Sequence, residues 1–188
     1  MSELYELRHA IDQSTNYSVC VCQSNSPWFY TCWSLGRKLD DVPNVIIEFV
    51  LEGKSPLEDF QMTNADHVLV SDKLFQILKA SEAKFDWYES IITKKGKIID
   101  TSFKVINFTE SFWCMKKSQS IYKDSRDVPG MVRNVEKLVI SRPKLPKQKI
   151  FRLGENTSIL LANNDFKVAV ESEKLTGLRF CEVEVSST

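Results

Sequence analysis

The chain has 188 residues, 43% of them hydrophobic and 27% charged, with 25 basic and 25 acidic side chains and a formal charge of zero. A chain of this length buries roughly two-thirds of its unfolded surface without a disulfide or metal staple, and the balanced composition excludes a wholly disordered chain. Uncharged apolar runs such as Val45-Ile46-Ile47 are too short for a membrane-spanning helix. The start, Met1-Ser2-Glu3-Leu4-Tyr5-Glu6, lacks the basic region and apolar core of a signal peptide. The expectation is a soluble, cytoplasmic α+β protein.

Charge is unevenly spread. Residues 1–70 hold four Lys/Arg against ten Asp/Glu, whereas residues 91–153 hold fifteen against five. Partial neutralisation between the two regions is the ordinary outcome, and a charged face that steers a partner is the functional one.

In chain order, Tyr17 to Gln23 reads as a short strand, and Ser24-Asn25-Ser26-Pro27 as a turn. The aromatic cluster Trp28, Phe29, Tyr30 and Trp33 follows. Asn44 to Leu51 is a strand closed by Glu52-Gly53-Lys54-Ser55-Pro56. Val68-Leu69-Val70 is a short buried strand, and Ser71 stands where its hydroxyl can cap a helix that runs to about Ser81. Leu74, Ile77 and Leu78 form that helix's apolar stripe. The chain resumes as a strand at Phe85-Asp86-Trp87-Tyr88, and Lys94-Lys95-Gly96 turns a hairpin between Ile91-Ile92-Thr93 and Lys97-Ile98-Ile99. Phe103 to Phe108 is another strand, Lys116 to Gly130 is polar and turn-rich, and Val135 to Ile140 is a strand. Arg142 to Lys149 contains two prolines and is a basic loop.

The earlier strand–helix–strand layout then recurs. Ile159-Leu160-Leu161 precedes a capping Asn163, and Phe166, Ala169 and Val170 supply the stripe. The helix fades over Lys174 to Gly177, with Gly177 as its stop, and Leu178 to Val185 alternates as a half-buried strand. The fold class is therefore α+β, with mostly antiparallel strands, a few short helices and two similar strand–helix–strand units. The expected division is an N-terminal strand-rich portion over residues 1–60 and an α+β portion over residues 61–188, with one continuous domain as the alternative.

The motifs of common chemistry are missing. Six glycines assemble neither a phosphate loop nor a dinucleotide fingerprint, and no His-Glu-x-x-His or Gly-x-Ser-x-Gly occurs. Cys20, Cys22, Cys32, Cys114 and Cys181 form no Cys-x-x-Cys, and the histidines are His9 and His67. Scattered thiols of this kind read as small buried hydrophobes rather than as a zinc site, so neither metal nor cofactor is expected. A cysteine enzyme would have to pair Cys22 or Cys114 with His67. A nucleic-acid binder would use the basic residues of 142–152, with Phe151 and Arg152 at their end.

The aromatic cluster has two readings, core packing or an anchor patch for a protein partner. Asp40, Asp41, Glu48, Glu52, Glu58 and Asp59 follow it. With Trp28, Tyr30 and Trp33 they make a candidate contact face suited to a basic partner surface.

From about residue 55 to 185 the order of segments resembles a family of bacterial polymorphic-toxin immunity proteins, the immunity family numbered eleven, formerly a domain of unknown function. The resemblance rests on Leu57-Glu58-Asp59-Phe60, Val68 to Leu74, Val105-Ile106-Asn107, Lys116-Lys117-Ser118, Glu136 to Ile140, Lys149 to Leu153, Ile159-Leu160-Leu161 and Leu175 to Val183. Cys114-Met115 stands where the family has Leu-Asp, and Ala162-Asn163 where it has a second capping serine. The resemblance implies a non-catalytic antidote, encoded beside its cognate toxin. Such toxins are often delivered to competing bacteria by a secretion system such as type VI. The antidote would bind the toxin with an affinity of about −12 kcal/mol or better. The N-terminal third is the expected contact because it lies mostly outside those segments. Homodimerisation is left open by the same aromatic patch.

Overall fold

A computed structural model describes residues 3–10, 17–23, 46–64 and 67–187. The turn at 24–27, the aromatic cluster, Asp40, Asp41 and the start of the strand expected from Asn44 lie outside the described residues.

Strands β1 (Leu4–His9), β2 (Ser18–Cys22), β3 (Ile47–Gly53), β4 (Phe60–Gln61) and β5 (Val68–Val70) lead into helix α1 (Asp72–Lys79). They are followed by β6 (Phe85–Lys94), β7 (Lys97–Asp100), β8 (Lys104–Phe108) and β9 (Ser111–Phe112). Next come β10 (Ile121–Asp124), β11 (Val132–Lys137), β12 (Val139–Ser141), β13 (Ile150–Leu153) and β14 (Leu160–Asn163). Helix α2 (Asn164–Ser172), β15 (Leu178–Glu182) and β16 (Glu184–Ser186) complete the order. The α+β class stands, with strands predominating.

The strands form a first sheet in the order β15-β1-β14-β13-β9 and a second in the order β2-β3-β6-β8-β5-β4, with β7 beside β6. The parallel pairs are β3–β6, β9–β13 and β12–β16; the other described pairs are antiparallel. Strands from either side of residue 60 share both sheets, since β1 lies between β14 and β15 and β3 pairs with β6.

The two similar units prove to share a topology. β5 and β6 are parallel, with antiparallel β8 between them. β14 and β15 are parallel, with antiparallel β1 between them. In each, the helix crosses over one intervening strand. Both helices then turn their apolar residues into one core. Leu74, Phe75 and Leu78 of α1 and Phe166 and Val170 of α2 meet Val68, Val70, Ile106 and Phe108 of one sheet and Leu7, Ile150, Leu160 and Ala162 of the other.

The central strands are buried on both faces, which is why they read as unbroken apolar runs rather than alternating ones. Leu161, Phe151 and Leu153 point to the outer side of the first sheet, where Val132, Ile140, Val183, Cys114 and Met115 cover them. Leu69 and Val105 point to the outer side of the second, against Cys20, Ile47, Phe49 and Leu51.

Local chemistry sets the helix ends. Ser71 accepts from the Leu74 amide at 3.4 Å and Asn163 from the Phe166 amide at 3.0 Å, each satisfying an orphan donor. The hairpin turn has positive φ at Lys95 (52°) and Gly96 (73°), the twist that joins adjacent strands tightly.

Three expectations change in detail. The stretch 116–130 contains strand β10, paired with β11. The strand expected at 135–140 is two, β11 and β12, which break at Leu138. The left-handed residue that ends α2 is Lys174 (φ 54°) and not Gly177. The Lys174 and Leu175 amides donate back to Glu171 and Val170, the hydrogen-bond pair of a Schellman stop.

Candidate functional site

Five places carry polar or exposed apolar groups out of the ordinary: a cavity between the sheets, a carboxylate clamp, the face made by β3, and two exposed tryptophans. The cavity encloses about 330 Å³ and is lined by Arg8, His9, Phe60, His67, Arg152 and Ser158 among others. Arg152 is 3% exposed, with its guanidinium 5.9 Å from the Phe108 ring centre. The His9 ring stacks on Phe60 at 4.4 Å, and burial pushes its pKa below 6.5. Burial thus favours the neutral imidazole of His9.

The clamp centres on Asp59. Ser71 Oγ donates to its Oδ1 at 2.6 Å, while the Thr176 amide and hydroxyl donate to its Oδ2 at 2.9 and 3.0 Å. The Asp59 amide donates back to Thr176 Oγ1. Burial raises the Asp59 carboxyl, and the bonds from Ser71 and Thr176 with the charge of Lys73 more than offset it, leaving it below its ordinary value. Gly177 completes the clamp. Its φ is 82° and an added Cβ would stand 2.4 Å from the Phe60 carbonyl oxygen, so only glycine fits there.

The rest of the expected contact face is partly in view. Trp28, Tyr30, Trp33, Asp40 and Asp41 lie outside the described residues. Glu48 and Glu52 project from the exposed face of β3, next to β6, whose hairpin with β7 carries Lys94, Lys95 and Lys97. Glu58 adjoins the clamp, its carboxyl raised by burial and by the neighbouring charge of Asp59. Part of the acidic stretch thus lies beside part of the basic one on this sheet.

Two exposed tryptophans were not singled out in advance. Trp87, 46% exposed, packs on Phe75 at 5.3 Å and lies 5.7 Å from Lys104 Nζ. Trp113, 53% exposed, rests on Gly154 and Gly130. Nothing local in the sequence marks either, because their exposure depends on chain far away.

A model of the immunity protein family Imm11 matches residues 10–185. The chain belongs to the Imm11 immunity protein family. No curated protein matches the sequence. The family match begins at residue 10 and so takes in the N-terminal third, which the resemblance alone left mostly outside. Within this Imm11 protein, three segments that carried the resemblance, 57–60, 68–74 and 175–183, meet at Asp59, Ser71 and Thr176. Their spacing is the spacing of a structural clamp.

Burial also describes the thiols. Cys20 and Cys114 are each 0% exposed, and burial pushes both up to about 12, so neither supplies thiolate at neutral pH. Cys114 lies in the outer core of the first sheet, whereas His67 lines the cavity on its other side. Cys22 is half-buried on β2, its amide bonded to Asn64 Oδ1 at 3.0 Å. Among the described residues no three His, Cys, Asp or Glu side chains gather as a metal set. In the basic loop, Lys144 and Lys147 are exposed but Phe151 and Arg152 are buried. Among the described residues no helix is long and apolar enough to cross a membrane.

Proposed function

We propose that this Imm11 protein is the antidote to one cognate toxin, encoded by the adjacent gene, and that it works by binding and occluding the toxin without catalysis. The observation that carries this is the family match over residues 10–185. Occlusion needs a rigid face and no reactive group, which agrees with the buried, protonated thiols of Cys20 and Cys114. The setting is the cytoplasm of the producing cell, in competition between bacteria that deliver toxins by a route such as type VI secretion. The acidic N-terminal third supplies steering charge, since charges at an interface act chiefly on the association rate.

The test is co-expression of the tagged chain with the product of the adjacent gene, with a growth assay in parallel. A stoichiometric complex and rescued growth are expected; no complex and no rescue would sink the proposal. Asp40→Lys with Asp41→Lys slows association several-fold in a fold that melts normally, and unchanged kinetics would remove the steering role. Cys22→Ser with Cys114→Ser retains full protection, where a cysteine enzyme would lose it.

A further inference from the structure

Trp113 follows β9 at the edge of the first sheet, and main chain backs its indole on two loops. A Cβ added to Gly154 would stand 2.7 Å from its Cδ1 and 2.8 Å from its Cγ and Nε1. That is inside the range real Cβ contacts occupy, so the indole sits where it does because residue 154 has no side chain. Its benzo edge, at Cη2 and Cζ3, lies 3.5 Å from the corresponding position on Gly130. Lys117 Nζ donates to the Gly130 carbonyl at 2.8 Å and holds that turn. A tryptophan fixed in this way is rigid, yet 53% of it faces solvent. Val128, in the turn that ends at Gly130, and Ile121 on β10 are also exposed, at 39% and 54%.

The stretch of chain that carries this surface has a basic excess. Between residues 113 and 137 there are six Lys/Arg and three Asp/Glu. Among the described residues Lys117, Lys123, Arg126 and Arg133 take no part in the ion pairs, and neither do Asp124, Asp127 and Glu136, which leaves a net basic charge. A rigid exposed tryptophan inside a polar rim is the arrangement of an interface hot spot.

We propose that the Trp113 surface is the anchor by which this immunity protein holds its toxin, and that the toxin meets it with an apolar pocket rimmed by carboxylates. The proposal rests on the toxin-binding reading above. An acidic protein surface fits the net excess of Lys and Arg in this stretch. A second copy of this chain fits it poorly, because a two-fold contact would set one basic rim against another. Anchor and steering charge act on different steps: Trp113 sets how slowly the complex dissociates, the N-terminal acids how quickly it forms. A toxin bound across both presents an acidic patch to one and a basic patch to the other.

The experiment measures association and dissociation rates between the full chain and the purified product of the adjacent gene. Trp113→Ala should weaken the complex about 100-fold, mostly through faster dissociation. Gly154→Ala, which displaces the indole without removing it, should weaken it about tenfold. Lys123→Glu with Arg126→Glu should slow association several-fold, an effect that fades as salt is raised. Wild-type binding with Trp113→Ala and Gly154→Ala both within twofold of it would overturn the surface while leaving the toxin reading intact. A wild-type chain that forms no complex overturns both. If Trp113→Ala melts early, the charge pair decides, because it removes no packing: an unchanged association rate overturns the proposal. Loss of a self-dimer on Trp113→Ala, with toxin affinity unchanged, would reassign the surface to a second copy and overturn it equally.

Discussion

In the β5–α1–β6 unit, Ser71 caps the helix and is itself held by Asp59, which also binds Thr176 from the chain just after α2. In the β14–α2–β15 unit, Asn163 caps the helix directly through its own amide oxygen. The course of the two units is the same, yet only the first has its cap tied to the other unit. One clamp thus joins both helices across the shared core, so the two units stand or fall together. Three distant sequence segments that carried the family resemblance meet at this carboxylate.

The largest expected effect comes from the core that the units share. Phe166→Ala should cost about 3–5 kcal/mol and Leu74→Ala about 2–5 kcal/mol, measured by denaturant unfolding with every probe reporting one transition. Separate transitions for the two sheets would break the picture of a common core. Gly177→Ala comes next. It combines a left-handed backbone with a Cβ pressed on the Phe60 carbonyl, and about 2–4 kcal/mol should be lost.

The clamp itself is sharpened by comparing caps. Asp59→Asn should cost about 1–3 kcal/mol through hydrogen bonds left unmatched, and Asn163→Ala about 1 kcal/mol. Equal losses would mean that the clamp adds nothing beyond an ordinary cap. A pH series separates them further. The folded pKa of Asp59 is depressed, so its contribution is present above the unfolded carboxylate pKa and is lost as pH falls through the folded value. Asp59→Asn should therefore flatten the acid limb of stability against pH, and Asn163→Ala should leave its slope alone.

The smallest effect has the opposite sign. Lys174 carries the left-handed residue after α2 at φ 54°, so Lys174→Gly should raise stability by about 0.5–1 kcal/mol. No gain in the melting curve would show that contacts of the lysine side chain offset the backbone strain.

What the sequence determined was whatever depends on neighbours a few residues apart. Ser71 and Asn163 were legible as caps because the bond is made within three residues. Lys94-Lys95-Gly96 was legible as a turn, and the runs 68–70 and 159–161 as strands, because continuous apolar side chains suit a strand covered on both faces. The order of segments was legible as a family. Tertiary structure alone decided the rest. Strand β10 exists because β11 pairs with it over the outer core, and nothing in the polarity of 116–130 announces that. Gly177 reads as a helix stop until the Phe60 carbonyl is found against it, from a segment over a hundred residues earlier. The sequence left open whether the acidic and basic stretches neutralise one another, and the neighbouring β3 and β6–β7 hairpin bring part of each together. Trp113 owes its seat to a glycine forty-one residues away. Hydrogen-bond capping and side-chain period act locally and can be read along a chain, whereas exposure and charge neutralisation belong to pairs that only folding brings together.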